Sequence, residues 1–122
     1  MNSNCTVPVV VEGGGTGAVA HVGLHALGSF ADRLELGHSL SEVIPWTGER
    51  APVHDRGKVL TQAMLMLAGG GGACTDIEYL RSQGVLFGQV PSDSTLHRVF
   101  HQLDEPTRAG LWDAMASVRA EV

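Results

Sequence analysis

A chain of 122 residues, 43% of them hydrophobic and 17% charged, is long enough for one globular domain with a core of its own. No run of about 18 apolar residues occurs, which argues against a membrane-spanning helix. The start, MNSNCTVPVVVE, lacks the basic segment of a secretory leader, so a cytoplasmic protein is expected.

The net charge of −5 argues against nucleic-acid binding by bulk electrostatics. Its distribution is uneven. Between positions 50 and 101 five basic residues (Arg50, Arg56, Lys58, Arg81, Arg98) face four acidic ones, a net of +1, while the remainder holds three basic and nine acidic, a net of −6. The central segment is therefore the part least averse to a polyanion, although at +1 its DNA affinity alone should be weak. Cys5 and Cys74 are too few and too far apart in sequence for a metal motif or a disulfide framework.

Residues 7–12, VPVVVE, are β-branched and nearly continuous and read as one short strand. The following GGGTGA, Gly13 to Ala18, has the spacing that opens a dinucleotide-binding unit. The second strand with its ribose-holding acid is missing, however, so a flexible connection is preferred. From Ala20, Leu24, Leu27, Phe30, Ala31 and Leu34 form a helical stripe, with Gly37 placed for a left-handed C-terminal cap. Ser39 and Glu42 have capping-box spacing for a short helix carrying Leu40, Val43 and Ile44. PWTGERAP then forms a loop, with Trp46 as a plug in the core.

Asp55 is placed to cap a helix through Val59, Leu60, Ala63, Met64, Met66 and Leu67, apolar on so much of its circumference that it should be the central helix. Gly69 to Gly72 end it as a turn; no lysine with Ser or Thr follows to make a phosphate loop. Thr75 with Glu78 predicts a capping box, opening a helix that ends near Gly84, and VLFGQVP is expected to be a loop anchored by Val85, Leu86, Phe87 and Val90. From Ser92 the apolar residues Leu96, Val99, Phe100 and Leu103 recur at i, i+3, i+4 and i+7. Ser94, Thr95, His97, Arg98, His101 and Gln102 are left on the other faces, the pattern of a helix-turn-helix reading element and equally of a plain amphipathic surface helix.

Pro106 suits the first turn of a last helix, opened by Asp104 and Glu105, whose buried face would be Leu111, Trp112, Met115, Val118 and Val122. The stripe runs to Val122 without a stop signal, which fits a fragment of a longer protein and equally a fraying terminal helix. The pairs His21/His25 and His97/His101 have i,i+4 spacing, but neither has a third ligand, so no metal site is expected. No nucleophile–base arrangement has a local signature.

The stretch HDRGKVLTQAMLMLAGGGGACTDIEYLRSQGVLFGQVPSDSTLHRVF, His54 to Phe100, and more weakly GLHALGSFADRLEL before it, resembles the N-terminal region of bacterial insertion-sequence transposases of the group-1 DDE type. The resemblance rests on His54 to Gly57, Val59 to Leu67, Gly69 to Gly72, Asp76 to Leu80, Leu86 to Gly88, and Val90 with Ser92, Asp93, Thr95 and Arg98 in that order. It covers about residues 18–104. It implies recognition of the terminal inverted repeats of an insertion sequence for DNA transposition. It also implies a ribonuclease-H-like catalytic domain beyond this region, where three acids hold Mg²⁺ or Mn²⁺.

The expected architecture is thus mainly α. A compact bundle of about six helices would contain a helix-turn-helix-like unit, with one short N-terminal strand. Residues 1–17 form the strand and glycine connection, 18–104 the DNA-binding-like domain, and 105–122 a terminal helix leading toward a catalytic domain. The expected DNA contacts are Ser94, Thr95, His97, Arg98, His101 and Gln102, with Arg56 and Lys58. No catalytic residue, metal ligand or cofactor is assigned to this chain, DNA is the expected partner, and a homodimer is an open option. The rival expectations are a small nucleotide-binding protein built on GGGTGA and a helical interaction module without independent activity.

Overall fold

The computed structural model describes Val10 and residues 22–46, 48–50 and 52–122. Seven α-helices and one 3-10 turn follow one another among the described residues, and no strand occurs there: α1 (Val22–Arg33), α2 (Leu36–Ser41), α3 (Arg56–Ala68), the 3-10 turn (Cys74–Ile77), α4 (Glu78–Arg81), α5 (Gly84–Phe87), α6 (Asp93–His101) and α7 (Glu105–Ala120). The expected strand at 7–12 and the loop at 13–18 lie outside the described residues except for Val10, which is exposed and in no regular element.

The central position of α3 follows from its sequence. Val59, Leu60, Ala63, Leu65 and Met66 are all buried, and around them pack α1, α2, α6 and the 3-10 turn, with α7 lying on α2. Leu40, Val59, Ile77, Leu80 and Leu96 are completely shielded from solvent. Removing each such side chain from water contributes about 1.5–3 kcal/mol. Since they come from five different elements, this burial unites the fold. Leu67, expected in the core, lies at the solvent edge of α3.

The tightest contact is between α2 and α3. A Cβ on Gly57 would lie 1.9 Å from the Gly37 carbonyl oxygen and 2.6 Å from the Ser41 amide nitrogen, so only hydrogen fits. The Gly57 amide, one of the donors that a helix start leaves without an intrahelical partner, donates to Ser41 Oγ at 3.1 Å. That hydroxyl has one proton to give, to the Gly37 carbonyl at 2.9 Å or to the adjoining Asp55 carboxylate. Asp55 in turn caps α3 by accepting from the Lys58 amide at 3.0 Å.

The crossing explains a correction. Gly37 is not the left-handed cap that ends the first helix; Glu35 takes that conformation, with φ of 53°, and Gly37 belongs to α2, where its carbonyl meets Gly57. The Ser39–Glu42 capping box does not form, because α2 begins before Ser39 and Glu42 ends it, paired with His38 at 3.3 Å.

The buried face of α1 is also rotated from expectation. Leu24, His25 and Gly28 face inward while Leu27 and Phe30 are exposed, because Gly28 lets α1 close onto Leu65, whose Cδ1 would be 3.3 Å from a Cβ there. Trp46 is not a core plug but lies on the surface.

Beyond α3, the glycine turn is closed by Tyr79, whose hydroxyl donates to the Met66 carbonyl at 2.5 Å. No Thr75–Glu78 capping box forms there. Asp76 instead accepts from the Gly72 and Ala73 amides at 2.8 and 2.9 Å, and a 3-10 turn precedes the short α4. Where a loop was expected, Gly84–Phe87 form α5; Leu86 and Phe87 are buried and Val85 is exposed. Asp104 caps α7 through the Thr107 amide at 2.9 Å, with Pro106 in the first turn. Leu111 and Val118 are buried on α7, but Trp112 and Val122 are exposed.

Replacing Gly57 by alanine should therefore cost at least about 2 kcal/mol, since the added methyl meets backbone that has no room to move. Gly23→Ala, on α1 with nothing near the added methyl, should be neutral or stabilising by up to about 1 kcal/mol. Urea denaturation of the two variants measures both; equal effects would contradict the close crossing.

Candidate nucleic-acid interface

The helix α6 begins where Ser92 accepts from the Thr95 amide at 3.3 Å. Its inward face is Leu96 and Val99, packed on the 3-10 turn and α3. Phe100, expected to be buried, is 38% exposed, because it sits at the flank of that stripe rather than on its centre line. Arg98 lies about 200° round the helix from Leu96 and faces solvent.

Of the residues expected at an interface, Ser94, His97, Arg98, His101 and Gln102 are exposed on α6 and its C-terminal cap. Thr95 is half-buried; its hydroxyl lies 3.2 Å from that of Ser92 and accepts from Arg98 Nη2 at 3.3 Å. This contact leans the exposed guanidinium toward the start of α6. Asp93, in the first turn, holds the Ser94 amide at 2.8 Å.

Arg56 departs from its expected role. Its side chain is buried, its guanidinium lies 4.0 Å from the centroid of the Trp46 ring, and its Nε donates to Gln102 Oε1 at 2.6 Å. The donor's identity fixes the orientation of the Gln102 amide, because only the oxygen can accept. Burial lowers the Arg56 pKa from its ordinary value, and Asp55 partly offsets that. Arg56 therefore ties Trp46 and the start of α3 to the end of α6, and its cation is covered by the indole rather than offered to a ligand.

Lys58, two residues along, lies about 200° round α3 from Arg56, on the far side from α6. Its pKa is lowered by burial and raised by Asp32 and Asp55, the carboxylates near it. The structure thus gathers six of the eight expected residues on α6, uses Arg56 as their support and sets Lys58 apart.

Two supports were not foreseen. Gln62, in the middle of the apolar α3, donates from Nε2 to the carbonyls of Gln89 at 3.1 Å and Phe87 at 3.5 Å, holding the segment that leads into α6. A glutamine among LTQAMLML is itself the signal, because a buried amide needs partners. Trp46 had no comparable signal, since nothing local links it to Arg56. His54, ahead of α3, has its pKa lowered first by burial and then by the charges of Lys58 and Arg81. Among the described residues no three His, Cys, Asp or Glu side chains converge as a metal site would require.

No family model, curated protein or solved structure matches this chain.

Two measurements probe the site. A double-mutant cycle between Arg56→Lys and Gln102→Ala should show a coupling of about 1 kcal/mol, in the range for side chains in contact; strict additivity would mean that the two do not support each other. The second is pH dependence. His54 has a folded-state pKa below 6.5, so the unfolded chain takes up the proton first and stability falls as pH drops through 6.5 toward the folded value. Asp76, held below 3.8 by the Gly72 and Ala73 amides, contributes stability above 3.8 that is lost as pH falls further. His54→Gln should flatten the upper step in urea melts and leave the lower one; an unchanged upper step would refute the assignment.

Proposed function

We propose that this chain is a DNA-binding module, the end-recognition portion of a DDE-type insertion-sequence transposase, in which α6 reads the duplex. The observation that carries this is α6 itself: a helix anchored by fully buried Leu96, with Arg98 on the opposite side among exposed Ser94, His97, His101 and Gln102. A helix held in this way can enter a major groove, and an arginine at its centre can reach guanine O6 and N7 with two hydrogen bonds. In this proposal the 3-10 turn with α4, then α5, then α6 act as a helix-turn-helix-like unit. Gln62 and the Arg56–Gln102 contact hold α6 at its two ends.

The sequence resemblance supports end recognition as the purpose of that binding. It also assigns Mg²⁺- or Mn²⁺-dependent cutting and joining to a separate catalytic domain, so the chain itself is proposed to be non-catalytic, with terminal inverted repeats as its partner. The near-neutral charge of the central segment favours base readout by Arg98 over a phosphate contact, since few cations are present for nonspecific attraction.

Anisotropy titrations against a duplex from the inverted repeats flanking the coding sequence and against a scrambled duplex test this. Arg98→Ala should weaken binding to the repeat by about 1–3 kcal/mol and change the scrambled duplex little. A phosphate contact would instead weaken both alike and lower the salt slope by about 0.9. Unchanged affinity for both duplexes would withdraw α6 as the reading helix.

A further inference from the structure

The outer face of α7 carries an apolar feature that the DNA-reading helix does not use. Trp112 is 64% exposed although it lies in the middle of a sixteen-residue helix. Beside it is an open cavity of about 170 Å³ lined by Leu40 of α2, Leu60 and Met64 of α3, Leu103, and Leu111 and Met115 of α7. Trp112 and Arg108 form its rim. An indole on the surface next to an unfilled apolar groove costs solvation free energy twice over, and one contact would relieve both.

The charges along the same face identify the occupant. Glu105 and Arg119 lie seven positions before and after Trp112, so both fall within about 20° of it on the helix surface. Ala109 and Ala116, exposed and small, lie between them on the same side. The pattern acid, indole, base is complementary to itself when reversed. If a second α7 runs antiparallel about a two-fold axis at Trp112, Glu105 of each copy faces Arg119 of the other. Arg119 forms no ion pair among the described residues, and Glu105, though paired with Arg108 at 2.5 Å, is largely exposed and has a second oxygen to offer.

We infer that the α7 face is a self-association surface, taken by a second copy of this chain in antiparallel register, with each Trp112 covering the groove of the other. The contact is isologous, so the association closes at two copies. It is independent of DNA binding, and α6 is not part of the paired face.

Sedimentation equilibrium of the whole chain without DNA tests this, so that failure here leaves the proposed function untouched. The wild type should form a concentration-dependent dimer. Glu105→Arg and Arg119→Glu should each raise the dimer dissociation constant at least about tenfold, equivalent to about 1.4 kcal/mol, and the double variant should restore it. Trp112→Ala should be monomeric, and should melt like the wild type at concentrations too low for the wild type to dimerise, because the side chain supports no core. A wild type that stays monomeric to its solubility limit, or a dimer indifferent to Trp112→Ala, would overturn the proposal. A charge-swapped double variant that stays as weak as the single ones would overturn the antiparallel register.

Discussion

The structure depends on one close approach, the crossing of α2 over the start of α3. Gly57 has backbone where any other residue has a side chain, and Ser41 uses its hydroxyl to satisfy the Gly57 amide across the contact. Because Asp55 both caps α3 and touches that hydroxyl, the first turn of the central helix and the helix above it are fixed together. From this point α3 extends through the core, where α1, α2, α6 and the 3-10 turn pack against it, while α7 is placed by its contact with α2. The cost is sequence tolerance: at Gly57 volume is excluded by main chain, which adjusts less readily than a side chain.

The geometry of α6 is a consequence of that placement. Arg56 occupies the first position of α3, next to the crossing, and from there its guanidinium reaches the Gln102 amide at the end of α6. Further along the same helix Gln62 holds the carbonyls of the segment that enters α6. A largely apolar central helix thus has Arg56 and Gln62 where a second helix is held at both ends. The outward side of α6 makes few intramolecular contacts, and the one involving Arg98 is to Thr95 in its own helix. A rigidly held helix with exposed polar side chains is the arrangement a binding surface requires.

Much of this was legible in the sequence, and the failures share a cause. The caps at Asp55, Ser92 and Asp104 could be read because they depend on neighbours three residues away. The central role of α3 could be read because too much of its circumference was apolar for any exposed helix. Periodicity misplaced Leu27, Phe30 and Trp112, because it finds an apolar face without saying whether the chain itself covers that face. On α1 the decision fell to Gly28, a residue with no hydrophobicity to count. Glu35 adopted the left-handed conformation that Gly37 was expected to take, since Gly37 was needed at the crossing. Of the residues expected at the interface, Arg56 lies against the end of α6 but is buried, with its guanidinium over Trp46. Whether a cation is free or stacked depends on Trp46, ten residues away in the sequence, with no local pattern linking the two.

The central proposal is that the exposed side of α6 meets DNA. An amide-resolved NMR titration of the labelled chain with an inverted-repeat duplex tests it most directly. The account predicts that shifts concentrate at Ser94, His97, Arg98, His101 and Gln102, while the α7 amides around Trp112 stay in place. Shifts centred on α7, or none at any residue as duplex is added in excess, would contradict it.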